Sequence, residues 1–252
     1  MKCLILAAGY ATRLYPLTKD FPKPLLKVRD KTILDWVLED LGQTGLIDQY
    51  AVITNHRFVH HLQDWADHHT HPVAVLDDGT ESNETRLGAV RDLQFAIEQL
   101  NIDDATLVIA GDNLLDFSLD GFLRFAGVKQ TACVMRFKET DVAKLRKTGV
   151  AEIDAADRIV HMEEKPAEPK SHWCIPPFYL FQTADIPLVK KGIESGCGTD
   201  APGSFIAWLS TQTPVHTYEM PGKRYDIGNL ESYQYIQKIY NGIRNTGNKV
   251  QK

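Results

Sequence analysis

The sequence predicts an α/β fold, a doubly wound and mostly parallel Rossmann-like sheet, and three observations carry that prediction. First, short and nearly continuous apolar runs recur along the first half: CLILA at 3–7, YAVIT at 50–54, VAVLD at 73–77 and TLVIAG at 106–111. Runs of this form suit strands buried on both faces. Second, the stretches between them carry helical spacing. Third, strand and helix alternate in order, which implies parallel strands joined by right-handed crossovers, with ligands received at the carboxyl ends of the strands.

Each element has a local reason. CLILA breaks at Gly9, so the first strand ends in a turn. Thr32, with Asp35 three residues on, reads as an N-cap for a helix presenting Ile33, Leu34, Val37, Leu38 and Leu41. A second helix fits Leu87 to Leu100. After TACVMRF (131–137) come shorter strands, GVAEI, RIVHM and FYLFQ, then two helical stretches, PVHTYEM, and a closing helix from about Leu230 to Ile243. The second half is expected to extend the same sheet and add a small β-rich extension. The expected unit is one domain over 1–244, followed by a polar tail at 245–252.

Composition narrows the function. A net charge of -5, with Lys and Arg scattered singly, supplies no stripe to neutralise a phosphate backbone, so nucleic acid is excluded as an expected partner. The four cysteines, at 3, 133, 174 and 197, form no CxxC pair, as expected of reduced thiols in a cytoplasmic protein without structural zinc. The apolar run at 3–8 is too short for a signal-peptide core, and no stretch reaches membrane-spanning length, so a cytoplasmic location away from membranes is expected.

The chemistry concentrates at predicted strand ends. A strand ending in Gly9 exposes amide donors, and Arg13 and Lys23 add positive charge, which suits a polyphosphate. An ordinary βα turn with surface cations answers to the same residues. Pro22 and Pro24 restrict the backbone on both sides of Lys23, as in a phosphate clamp or a rigid surface loop. Asp112 in VIAGDNL follows a buried strand, where a carboxylate can hold Mg²⁺ or cap the next turn. Asp226, in RYDIGNLESY, is a candidate second ligand.

Four ordered motifs, LAAGYATRLYPLTKDFPKPLLKV, VIAGDNL, MEEKPAEPKS and YDIGNLESY, together resemble the nucleotidyltransferase family of sugar-1-phosphate pyrophosphorylases. The resemblance implies a Mg²⁺-dependent reaction between a nucleoside triphosphate and a sugar-1-phosphate, giving an NDP-sugar and pyrophosphate. It implies a nucleotide-binding half (1–137) and a sugar-phosphate-binding half (138–244). Ala8 and Gly9 would wrap the triphosphate, Arg13 and Lys23 would stabilise departing pyrophosphate, and Asp112 and Asp226 would hold Mg²⁺. Lys165 would bind the sugar phosphate and Glu164 the sugar hydroxyls. Homodimers or homotetramers, and a product used for polysaccharide or a related glycan, are further expectations of this kind.

Three places depart from the family pattern. Ala11, after Tyr10, stands where a second glycine is usual, and a left-handed backbone there would cost alanine about 1 kcal/mol or more. Pro176 and Pro177 replace a glycine expected beside the sugar. The segment DDGTESNETRLGAV (77–90) occupies the base-recognition place, where Gly88 permits close approach and Asn83, Thr85 or Arg86 can read a base edge. Base choice stays open, with a slight preference for a pyrimidine.

Two other readings share the fold: a cytidylyltransferase acting on a non-sugar phosphate such as phosphocholine, and a catalytically silent binding subunit. The EEKP segment favours a sugar. The joint presence of Arg13, Lys23, Asp112, Lys165 and Asp226 argues against silence. The histidine-rich HHLQDWADHHTH lacks a completing ligand set and reads as exposed helix and loop.

Overall fold

β1 (Lys2–Leu6) sends Cys3 and Ile5 to one face and Leu4 to the other, and all three are buried, so helices must cover both sides of the strand. In the computed structural model, which describes residues 1–244, β1 is followed by single-turn helices at Thr12–Leu14 and Lys23–Leu25. Next come β2 (Lys27–Val28), β3 (Lys31–Thr32), α1 (Ile33–Thr44), β4 (Gln49–Thr54), α2 (Val59–Asp67) and β5 (Val73–Asp77). The chain continues through α3 (Ala89–Leu100), β6 (Thr106–Ala110), β7 (Asn113–Leu115), α4 (Asp120–Lys129), β8 (Ala132–Lys138) and α5 (Val142–Leu145). β9 (Gly149–Ile153), β10 (Ile159–Glu164), β11 (Trp173–Ile175) and β12 (Phe178–Phe181) follow. α6 (Ile186–Glu194), α7 (Pro202–Leu209), β13 (Val215–Glu219), β14 (Arg224–Asp226) and α8 (Leu230–Ile239) complete the described chain.

Ten strands form one sheet in the order β10-β9-β11-β8-β12-β6-β1-β4-β5, with β13 also beside β8. β6, β1, β4 and β5 are parallel neighbours, and β13 runs parallel to β8. β12 returns antiparallel between β6 and β8, and β11, β9 and β10 continue antiparallel. The expected sheet is therefore found as a mixed sheet with a parallel core.

One face carries a cluster built from Cys3, Ile5, Leu34, Leu38, Phe122 and Leu123, which seats α1 and α4. The other carries Leu4, Leu93, Ile97, Val189, Phe205 and Leu209, which seats α3, α6 and α7. A third cluster packs α8 onto Leu14, Val28, Ile33 and Leu114 through Ile236 and Tyr240, beneath the loop that follows β1.

Thr32 caps α1 as expected: its hydroxyl accepts from the Asp35 amide at 3.0 Å, while Asp35 accepts from the Thr32 amide at 2.8 Å. α3 begins at Ala89 rather than Leu87, because Gly88 has φ 91° and cannot continue a helix. The closing helix stops at Ile239, short of the expected Ile243. β11 was not anticipated, since WCI is too short to show alternation. The polar tail at 245–252 lies outside the described residues.

The histidine segment is less exposed than expected: His69 packs 5.0 Å from Trp65 and His71 packs 5.7 Å from Tyr50, ring centre to ring centre. Among the described residues, no group of three or more His, Cys, Asp or Glu could hold a metal. The four cysteines are free thiols. No described helix is long and apolar enough to cross a membrane.

Candidate active site

An open cavity of about 430 Å³ lies at the carboxyl ends of β1 and β6, the neighbouring parallel strands between which the strand order reverses. Its floor is made by Leu6, Ala8, Gly9 and Ala110. The loop after β1 is held from below: Asn55 Nδ2 donates to the Ala8 carbonyl at 2.9 Å, and the Tyr10 hydroxyl donates to the Thr80 carbonyl at 2.9 Å. Ala11 does take the left-handed conformation, at φ 47° and ψ 40°, so the loop keeps a glycine-like path at a cost of about 1 kcal/mol. The Ala11 carbonyl accepts from the Thr18 hydroxyl at 2.8 Å, which fixes the strained turn.

The carboxylates meet by strand pairing. β14 runs antiparallel to β7 with Asp226 opposite Asn113, so Asp226 lies one residue across from Asp112, and both line the cavity. Lys23 Nζ donates to Asp112 Oδ2 at 2.8 Å, and Asn113 Nδ2 donates to Asp112 Oδ1 at 2.6 Å. Arg224 Nη1 in turn donates to Asn113 Oδ1. Burial opposes the Asp112 charge, but the Lys23 ammonium and Arg224 outweigh it and hold the carboxyl below the usual carboxylate range. Asp226 is exposed and has no hydrogen-bond or ion-pair partner among the described residues.

The opposite wall comes from β10 and α7. Lys165, at φ 51°, donates its amide to the Thr148 carbonyl at 3.1 Å and lines the cavity, a left-handed lysine of the kind that clusters at functional sites. Glu164 packs against Gly203, where any Cβ would overlap its carboxylate. Burial raises its pKa, and neighbouring Lys165 only partly offsets that. Pro176 and Pro177 line the cavity between these two walls.

Of the residues singled out in the sequence, Ala8, Gly9, Gly88, Asp112, Glu164, Lys165 and Asp226 share this cavity. Lys23 reaches it through Asp112. Arg13 sits on the exposed turn Thr12–Leu14 and Asn83 on an exposed loop, where its carbonyl accepts from Arg86 Nη1 at 2.7 Å, and neither lines the cavity. Asp92, Asn113, Lys147 and Arg224 line it without having been singled out. Two of these were legible. Arg224 stands two residues before Asp226, hence on the same face of a strand, and Asp92 interrupts the apolar stripe of α3 beside Leu93.

A family model described as Nucleotidyl transferase matches residues 2–241. Glucose-1-phosphate thymidylyltransferase of Streptomyces griseus is 30% identical over 248 residues, covering 95% of this chain and 66% of that protein. UTP–glucose-1-phosphate uridylyltransferase of Synechocystis sp. is 28% identical over 244 residues, covering 92% of this chain and 61% of its own. The chain thus spans somewhat under two thirds of the length of these relatives. A solved UDP-glucose pyrophosphorylase complexed with UDP-glucose superposes with a TM-score of 0.82 at 21% identity, covering 95% of this chain and 97% of that one, a likeness of fold.

Proposed function

The chain belongs to the nucleotidyl transferase family, and we propose that it condenses a nucleoside triphosphate with a sugar-1-phosphate to give an NDP-sugar and pyrophosphate. The observation that carries this reading is one cavity with a glycine loop and two carboxylates on one side and Lys165 with Glu164 on the other. Relatives named as thymidylyl- and uridylyltransferases of glucose-1-phosphate support a sugar acceptor and a pyrimidine donor over phosphocholine or a silent subunit.

In this reading an oxygen of the sugar phosphate attacks the α-phosphorus. One P–O bond forms there, the bond to the β-phosphate oxygen breaks, and pyrophosphate leaves with the electron pair. The attacking phosphate is already an anion, so no general base is required, and catalysis consists of aligning two anions and neutralising the leaving group. Backbone amides of the loop at Ala8 and Gly9 hold the triphosphate, Lys165 holds the sugar phosphate, and Glu164 accepts from sugar hydroxyls. Lys23 keeps Asp112 ionised. Arg13 contributes only where the triphosphate extends beyond the cavity toward its exposed turn.

The donor set fits Mg²⁺: an ionised Asp112 and a neighbouring Asp226 with, among the described residues, no pairing partner and no third carboxylate or imidazole beside them to close the coordination against phosphate oxygens. When bound, Mg²⁺ supplies charge neutralisation on the phosphate oxygens. We further assign residues 1–137 to the nucleotide and 138–244 to the sugar phosphate, place the enzyme in the cytoplasm, and expect a product used for glycan synthesis and a dimeric or tetrameric assembly.

The test is Mg²⁺-dependent pyrophosphate release across nucleoside triphosphates and phosphorylated acceptors, phosphocholine included, with Asp112→Asn as control. Release that needs a sugar-1-phosphate and Asp112 is expected. Release with phosphocholine alone, or nucleotide binding without release for any pair, overturns the reading.

A further inference from the structure

On the nucleotide side of the cavity two enclosed carboxyl oxygens, Asp92 Oδ1 and Asp78 Oδ2, have no conventional partner among the described residues. The two carboxyl groups act on each other through hydrogen bonding and charge. Two carboxylates so placed cannot both stay ionised at low cost, whereas one proton between them satisfies both oxygens.

The pair links the two loops that frame the cavity. Asp92 comes from the first turn of α3, and its amide donates to the Gly88 carbonyl at 2.9 Å. Asp78 follows β5, and its other oxygen accepts from the amide and the hydroxyl of Thr80, each at 2.7 Å. The Thr80 carbonyl accepts from the Tyr10 hydroxyl and the His56 amide, each at 2.9 Å. With one proton between the two carboxyls, a continuous chain would run from Gly88 through Asp92, Asp78 and Thr80 to Tyr10, the neighbour of Gly9.

We propose that Asp92 is a positioning residue for the nucleotide: by sharing one proton with Asp78 it holds the Gly88 end of α3 in register with the loop at Gly9. This rests on the nucleotidyl-transfer reading and adds to it a residue outside the four motifs. Burial and the Asp78 charge push the Asp92 carboxyl up to about 7, so the shared proton is held in mildly acidic solution and lost as the pH rises through neutrality. Asp78 is the only charged group acting on Asp92 among the described residues. On Asp78, Asp77 also bears, itself paired with His56 at 2.6 Å, and Glu81 lies near that pair. Arg57 acts on Tyr10, and Arg86, two residues before Gly88, is held by Asp200.

The experiment measures calorimetric binding of each Mg²⁺-nucleoside triphosphate at about pH 6 and about pH 8.5 to the wild type, Asp92→Asn and Asp92→Ala, with melting scanned from about pH 4 to about pH 9. The amide in Asp92→Asn donates at every pH, and titration of the nucleotide itself is common to all three proteins. The wild type is expected to lose about tenfold more affinity on the alkaline step than Asp92→Asn, the worth of one hydrogen bond to a charged acceptor. Asp92→Ala should bind at about pH 6 as weakly as the wild type does at about pH 8.5.

In melting, the unfolded carboxyl ionises near pH 4 while the folded one keeps its proton to about 7. The wild type should therefore lose stability relative to Asp92→Asn across that window and level off above it. A melting difference flat with pH overturns the shared proton, whatever the nucleotide does. Parallel binding profiles for wild type and Asp92→Asn overturn the positioning role and leave the transferase reading standing. Absence of nucleotide binding at every pH overturns both.

Discussion

Gly88→Ala tests whether the loop leading into α3 is held by backbone geometry. Gly88 has φ 91° and ψ 148°, a region that side chains rarely enter, and holding alanine there costs about 1–3 kcal/mol. A Cβ there would also fall 2.5 Å from the Thr199 carbonyl oxygen and 3.0 Å from Asp200 Cα. Those atoms cannot retreat freely, because the Thr199 and Asp200 carbonyls accept from Val90 and Ala89 amides at 3.0 and 3.1 Å. Disturbing both bonds adds about 1 kcal/mol each. The sum, about 3–5 kcal/mol, corresponds to a fall in melting temperature of roughly 6–20 °C for a chain of this size. Gly9→Ala is the internal control. Nothing lies within 4 Å of a Cβ at Gly9, and its φ is not positive, so stability should hold within about 0.5 kcal/mol while nucleotide KM rises. Calorimetric melting with pyrophosphate-release kinetics on both variants decides the matter. Gly88→Ala melting within about 1 °C of wild type, or Gly9→Ala melting as low as Gly88→Ala, refutes the reasoning.

Other variants probe the charges. Lys23→Met removes the ammonium that keeps Asp112 ionised, so pyrophosphate release should fall by about 10²–10³ and the acid limb of the pH–rate profile should move to higher pH. An unmoved limb would detach Lys23 from Asp112. Arg224→Gln keeps a donor for Asn113 but removes the cavity cation nearest Asn113, and kcat/KM should drop by about 10² with little change in melting. Glu164→Gln removes an acceptor raised in pKa by burial, so KM for the sugar phosphate should rise while nucleotide KM stays constant, as steady-state kinetics with each substrate varied would read. Equal changes in both KM values would contradict its assignment to the sugar side.

Much of the fold could be read locally. Apolar runs announced β1, β4, β5 and β6 because strands buried on both faces need no alternation, and the Thr32–Asp35 cap announced α1. Part of the cavity lining was legible where motifs lie within one segment, as with Ala8, Gly9 and Asp112. Arg13 and Asn83 show the limit: a residue inside a motif carries no information on which way its own turn faces, and both turns face solvent.

The sequence by itself determined the alternation of strand and helix, and so the sheet edge at which the cavity opens, because burial pattern and capping are short-range properties. Only the tertiary structure decided that β12 enters antiparallel between β6 and β8, that β14 pairs with β7, and that Asp92 meets Asp78. Those choices depend on contacts between distant segments, where shape and desolvation of whole surfaces select the partner, and a single segment holds no record of what it will face.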